Sequence, residues 1–147
     1  MILFQTETKF ALKNRLAYKT WIKSIAQHKG KKVGDINYIF CADDYLLKIN
    51  KQYLDHDTYT DIITFDYSED DTIHGDIFIS IERVGENAEM FSVTFFEELL
   101  RVMAHGILHL CGYKDKLEQD EKKMREQEDW AIKMFAENNQ NIVNKQR

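Results

Sequence analysis

The 147-residue chain has no proline, only six glycines and only two cysteines. Each scarcity excludes something. No proline-rich or low-complexity linker divides the chain, and its length suits one domain with a real core but not two, so residues 1–147 are expected to form a single domain. The two thiols, Cys41 and Cys111, each sit in an apolar stretch and do not make the disulfide framework of a small secreted fold. No apolar run approaches the roughly 20 residues of a membrane span. The opening residues, "MILFQTETKF", lack the basic flank, long apolar stretch and small-residue cleavage site of an export signal. The expectation is a cytoplasmic protein with reduced thiols and no membrane partner. What the chain does have is 44% hydrophobic and 12% aromatic residues, too much apolar material for disorder.

The net charge of −5 conceals a split. Residues 1–33 hold eight basic side chains (Lys9, Lys13, Arg15, Lys19, Lys23, Lys29, Lys31, Lys32) against Glu7 alone, a local +7. The remainder, with 12 basic and 24 acidic residues, stands at −12. A basic segment on an acidic protein is one sign of a nucleic-acid contact, because phosphate responds to local potential and not to overall pI. It is also what a lysine-rich solvated helix face looks like.

Strand and helix signals alternate. "ILF" reads as a short strand, and "FALKNRLAYKTWIKSIAQHKG" has helical apolar spacing at 10, 12, 16, 18, 21, 22 and 25, ending on Gly30 as C-cap. "INYIFCA" reads as a strand, followed by "DDYLLKINKQYL" as a helix with Asp43 as its cap. Beyond the loop "DHDTY", the runs "TDIITFDY" and "GDIFIS" read as strands, and Ser80 is placed to cap a short helix through about Glu89. Thr94-x-x-Glu97 is a capping box that opens an apolar helix ending at Gly112. The charged tail from about Lys116, dotted with Trp130, Ile132, Met134 and Phe135, reads as a last helix covering the fold. The expected class is α+β, a small mixed sheet packed with about five helices.

The chemistry concentrates in "HGILHLCGYKDK". His105 and His109 are four apart on that apolar helix, so both imidazoles share a face and can address one centre. Gly112 then permits the chain to turn back, delivering Asp115 six residues after His109. The pattern H-x-x-x-H-x-x-G-x-x-D has the spacing of the extended zincin motif, with Gly106 in the slot of its glutamate base and Asp115 in that of its third histidine. Two imidazoles and a carboxylate form an ordinary zinc set with a fourth position left for water, and one Zn²⁺ per chain is expected on His105, His109 and Asp115. Nickel or another divalent ion would accept the same ligands. Without an ion, those three groups would be desolvated together at a cost of roughly a few kcal/mol.

These residues also carry a resemblance. "HGILHLCGYKD" is similar to the H-G-x-L-H-L-x-G-Y-D-H signature of the YbeY-type bacterial ribosomal-RNA maturation endoribonucleases, which are single-domain metal-dependent hydrolases. "NKQYLDHDTYTDIITF" resembles that family's N-x-x-Y-R-x-x-D-x-P-T-D-V-L-S-F segment, and "GDIFIS" its G-D-I-x-I-S strand. Four positions depart from the pattern: Asp115 replaces the usual third histidine, Lys114 an acidic residue, Leu54 an arginine, and Tyr59 a proline. The resemblance implies a zincin-like metal helix and a single-strand-specific endoribonuclease of ribosomal RNA maturation and quality control, with ribosomal proteins as further partners.

It also implies that the "DHDTYTD" loop approaches the metal cleft. His56 would then be a helper that donates to a phosphate or shuttles a proton, with a solvated loop histidine as the plainer alternative. Asp57 and Asp61 would tie down the loop through backbone amides, with Asp61 also a substrate-side candidate. Thr60 and Thr64 would contact RNA or simply enter the strand. Arg101, one turn before His105, is a phosphate-contact candidate, or else the partner of Glu97 or Glu98 in a salt bridge. Lys29, Lys31 and Lys32, expected to be unburied, are the RNA contacts offered by the basic segment. Two other readings stay open: a metallohydrolase of peptides or small molecules, against which Gly106 counts, and a ribosome-assembly or RNA-binding factor with a structural metal, which Leu54 favours.

Overall fold

The computed structural model describes residues 1–56 and 59–145. Its elements run β1 (Ile2–Thr6), α1 (Arg15–His28), β2 (Lys32–Cys41), α2 (Asp43–Leu54), β3 (Ile62–Asp66), β4 (Thr72–Ser80), α3 (Ile81–Met90), α4 (Phe95–Leu110), α5 (Glu118–Asn138) and α6 (Gln140–Lys145). The four strands form one mixed sheet in the order β1-β2-β4-β3. β2 is parallel to both β1 and β4, while β3 lies antiparallel on the β4 edge, Ile62 opposite Ile79. A strand with parallel neighbours on both sides is covered on both faces. That is why "YIFC" in β2 is continuously apolar and buried.

The sheet sorts its side chains by the two-residue period of a strand. Ile73, Ile77 and Ile79 of β4 point into the main core with α1, α4 and α5, and Phe78 points to the other face against Leu46 of α2, Cys41 and Ile63. Two hydrogen bonds lock the helical layer to its neighbours. The Tyr38 hydroxyl of β2 donates to the Met103 carbonyl of α4 at 2.8 Å, and the Trp21 indole of α1 donates to the Ala131 carbonyl of α5 at 2.8 Å.

Local signals placed most boundaries. Ser80 Oγ accepts from the Arg83 amide at 3.1 Å, and Thr94 Oγ1 from the Glu97 amide at 3.1 Å, as cap residues do. Two expectations are corrected. The first helix does not begin at Phe10: residues 10–14 pass over the core, with Phe10 packed 5.1 Å from Phe40, Leu12 buried, and Asn14 turning the chain at φ 60°. Asp43 does not cap α2; Ala42 is the cap residue, and the Asp43 carboxylate instead accepts from Ser80 and is paired with Arg83 at 2.7 Å. The described residues hold six helices on a small mixed sheet, as the α+β expectation of about five had it, with the charged tail divided at Asn139 into α5 and the six-residue α6.

Candidate metal centre

The site begins with α4. Glu98, Arg101, His105 and His109 follow at steps of three, four and four, and so form one stripe along the helix. All four line a cavity of about 510 Å³ whose other walls include Thr60, Asp61 and Thr64 at β3, Asn87 and Phe91 from α3, and Arg125 and Glu128 from α5. The opposite face of α4 lies against the sheet. At Gly106 the approach is so close that a Cβ would stand 2.9 Å from Ile77 and 3.3 Å from Ile62. Position 106 is therefore a packing position, and a glutamate there would have to displace Ile77 and Ile62.

α4 ends in a Schellman turn: the Gly112 amide donates to the His109 carbonyl and the Tyr113 amide to the Leu108 carbonyl, both at 3.0 Å. Gly112 holds φ 105°, a conformation a side chain would strain. The turn sends the chain back over its own helix and sets Asp115 Oδ2 3.0 Å from His105 Nε2. The other ring nitrogen, Nδ1, meets Glu128 Oε2 at 2.8 Å. Glu128 is buried, and its second oxygen accepts from Arg101 at 3.1 Å while Arg101 also reaches Asp129 at 2.7 Å. Burial disfavours the charged His105 ring, but the Glu128 hydrogen bond and charge, with Asp115 and Asp61, outweigh it and raise its pKa above the ordinary value. Asp61 is raised chiefly by burial.

Comparison with known proteins turns this geometry into a family. The endoribonuclease YbeY family matches residues 3–136. Relatives named endoribonuclease YbeY include one from Flavobacterium psychrophilum, 57% identical over 92% of this chain and 96% of its own, and one from Flavobacterium johnsoniae, 56% identical over 92% and 97%. A Thermotoga maritima protein with a structure determined in solution is 30% identical, with a TM-score of 0.69 over 96% of this chain and 93% of that one. The chain belongs to the endoribonuclease YbeY family.

Within that YbeY frame the structure sorts the sequence-derived site residues. His105 and Asp115 are in contact, and His109 lines the same cavity, although among the described residues no group of three or more His, Cys, Asp or Glu is drawn into a ready-made metal site. Thr60, Asp61 and Thr64 line the cavity; the Thr60 hydroxyl donates to the Ile62 carbonyl at 3.3 Å, and Asp61 accepts from Asn87 at 3.3 Å. Asp57 lies outside the described residues. His56 is exposed after α2 and is not among the residues that line the cavity. Arg101 pairs with neither Glu97 nor Glu98, because α5 presents Glu128 and Asp129 to its guanidinium. Lys29, Lys31 and Lys32 are not cavity residues. Lys29 is also not a free surface charge: its ammonium bonds the Gln127 side chain and sits 4.4 Å from the Trp130 ring centre.

Sequence reasoning missed Glu98 and Glu128. Glu98 carried a usable signal, since it lies seven residues before His105 on the same helical stripe. Glu128 carried none, since only the docking of α5 on α4 relates it to His105.

Proposed function

We propose that this chain is a single-domain, zinc-dependent endoribonuclease of the cytoplasm, cleaving single-stranded or processing-site segments of ribosomal RNA during ribosome maturation and quality control. Its family supports the phosphodiester chemistry. The observation that carries the metal is the convergence of His105 Nε2 and Asp115 Oδ2 to 3.0 Å, with Nδ1 of the same ring held by a buried carboxylate. This donor set fits a divalent ion. Ligand atoms about 2.0–2.1 Å from a tetrahedral zinc stand about 3.3 Å from one another, close to the gap seen here. A carboxylate behind the far ring nitrogen is the usual support of a metal-binding histidine, fixing its tautomer and orientation. His105, Asp115 and His109 would hold the ion, and zinc is the ordinary choice for that set. When bound, it would lower the pKa of a water and polarise a phosphoryl oxygen.

The remaining work belongs to the chain. Glu128, braced by Arg101, holds the His105 ring in place. Arg125, exposed at the cavity rim, offers a guanidinium to phosphate. Phe91, 55% exposed at the same rim, offers a ring on which an unpaired base can stack. Lys31 and Lys32 supply longer-range attraction, and ribosomal proteins are the further partners of such an enzyme. No described helix is long and apolar enough to cross a membrane.

A cleavage assay on structured ribosomal RNA fragments with added divalent ion tests the reading. Wild type should cut, and His105→Ala and His109→Ala should fall to background. Undiminished cleavage by either variant would sink it, and RNA binding without any cleavage would favour the assembly-factor alternative.

A further inference from the structure

We propose that Lys29, which lies outside the cavity, is a positioning residue for the metal corner: its ammonium ties the turn that carries Asp115 to the helix that carries Glu128. The inference rests on reading His105, His109 and Asp115 as metal ligands. It gives one lysine of the basic segment a task other than meeting RNA.

His105 is held from two sides that belong to different stretches of chain. Asp115 meets its Nε2 at 3.0 Å from the irregular segment between Gly112 and α5, and Glu128 meets its Nδ1 at 2.8 Å from α5 itself. A metal ligand and its support must be fixed to within about 0.5 Å to be useful. A segment without regular structure does not fix itself, so something must hold it against α5.

Lys29 touches both parts. It is the residue that ends α1, with its amide bonded to the Ala26 carbonyl at 3.0 Å, so its side chain starts from fixed backbone. Its Nζ lies 5.3 Å from the ring centre of Tyr113, two residues before Asp115, and 4.4 Å from that of Trp130, two residues after Glu128. It also donates to the side-chain oxygen of Gln127, the neighbour of Glu128. His28 meets the same Trp130 ring edge-on at 5.5 Å, so the end of α1 grips α5 with two side chains. Gln127 and Trp130, three apart, share the side of α5 that faces α1, while Glu128, one step round, reaches His105 on α4. Tyr113 packs on the core and its amide is bonded to the Leu108 carbonyl, so what holds its ring also holds the turn. One cation shared by two rings and an amide oxygen thereby draws the Asp115 turn and α5 to a common point.

A lysine that only stabilises the fold would, when replaced, lower the melting temperature and leave metal binding by the folded chain unchanged, because a native majority binds with the same affinity however far it stands from unfolding. The test compares wild type with Lys29→Met, which keeps the stem without the charge, and Lys29→Arg, which returns a cation to the two rings. Zinc alone is titrated against a chromophoric chelator, and melting and amide exchange are followed in the metal-free protein. Lys29→Met should stay folded and bind zinc about fivefold more weakly, the fold-change that one cation–π contact is worth. Its Tyr113 amide should exchange faster by about the same factor, while that of Ile107 in the middle of α4 keeps its rate. Lys29→Arg should remain within about twofold of wild type in both. Zinc affinity of Lys29→Met within about twofold of wild type would overturn the assignment, as would its failure to fold or an Ile107 amide that quickens as much as that of Tyr113. Equal weakening in Lys29→Arg would overturn it too. A wild type that binds no zinc would instead overturn the metal reading itself, and this inference with it.

Discussion

The two faces of α4 obey different rules. On one face Leu100, Met103, Ile107 and Leu110 are buried at 4% exposure or less, and the helix presses on β4 until only a glycine fits at position 106. What matters there is volume. The other face carries Glu98, Arg101, His105 and His109, and what matters there is which atom each polar group meets. Arg101 and His105 are answered from α5, and Asp115 is folded back on His105 by the Gly112 turn. One helix thus anchors the fold and presents the chemistry, and substitutions on its two sides should fail in different ways.

The largest effect on folding is expected from Gly106→Glu, which restores the glutamate of the zincin pattern. It adds a clash with the fully buried Ile77 and a charge facing the sheet, so about 3 kcal/mol or more of stability should be lost. Thermal unfolding should show a melting temperature lower by about 6–12 °C for a chain of this size, with no gain in cleavage. An unchanged melting temperature would mean that the two faces are not as distinct as described.

On the polar face, Glu128→Gln keeps the volume and removes the charge that orients His105. Metal affinity should drop by about 10–100-fold, the usual result of losing such a support. Competition with a chromophoric chelator would measure it. A variant that binds as tightly as wild type would show that Glu128 is only the structural partner of Arg101.

Much of this contrast was legible in the residues themselves. The Thr94 cap, the four-residue step from His105 to His109 and the Gly112 turn are local signals, and local backbone chemistry decided them. What could not be read depended on tertiary docking. Phe10 and Leu12 have helical spacing but are taken up by the core before α1 begins, with Phe10 against Phe40. Asp43 looks like a cap, yet Ser80 and Arg83, nearly forty residues on, claim its carboxylate. Glu128 is one acid in a highly charged helix until α5 lies on α4.

The smallest effects should come from the basic segment, where the same distinction separates neighbouring lysines. Lys29→Gln removes a cation held against Trp130 and should cost about 1 kcal/mol of stability. Lys31→Gln with Lys32→Gln should leave stability unchanged and make log affinity for single-stranded RNA less steep against log salt, by about 0.7 for every phosphate those lysines neutralise. An unchanged slope would shift the partner of this segment from RNA to protein.

If the polar face of α4 and the Gly112 turn together hold one metal ion, its occupancy is the quantity to measure. Elemental analysis of the chain purified without chelator, beside His109→Ala and Asp115→His, tests this most directly. About one divalent ion is predicted per wild-type chain, the same for Asp115→His because imidazole and carboxylate serve equally as zinc ligands, and little or none for His109→Ala. Full occupancy in His109→Ala, or no ion in wild type even after addition of zinc, would contradict it.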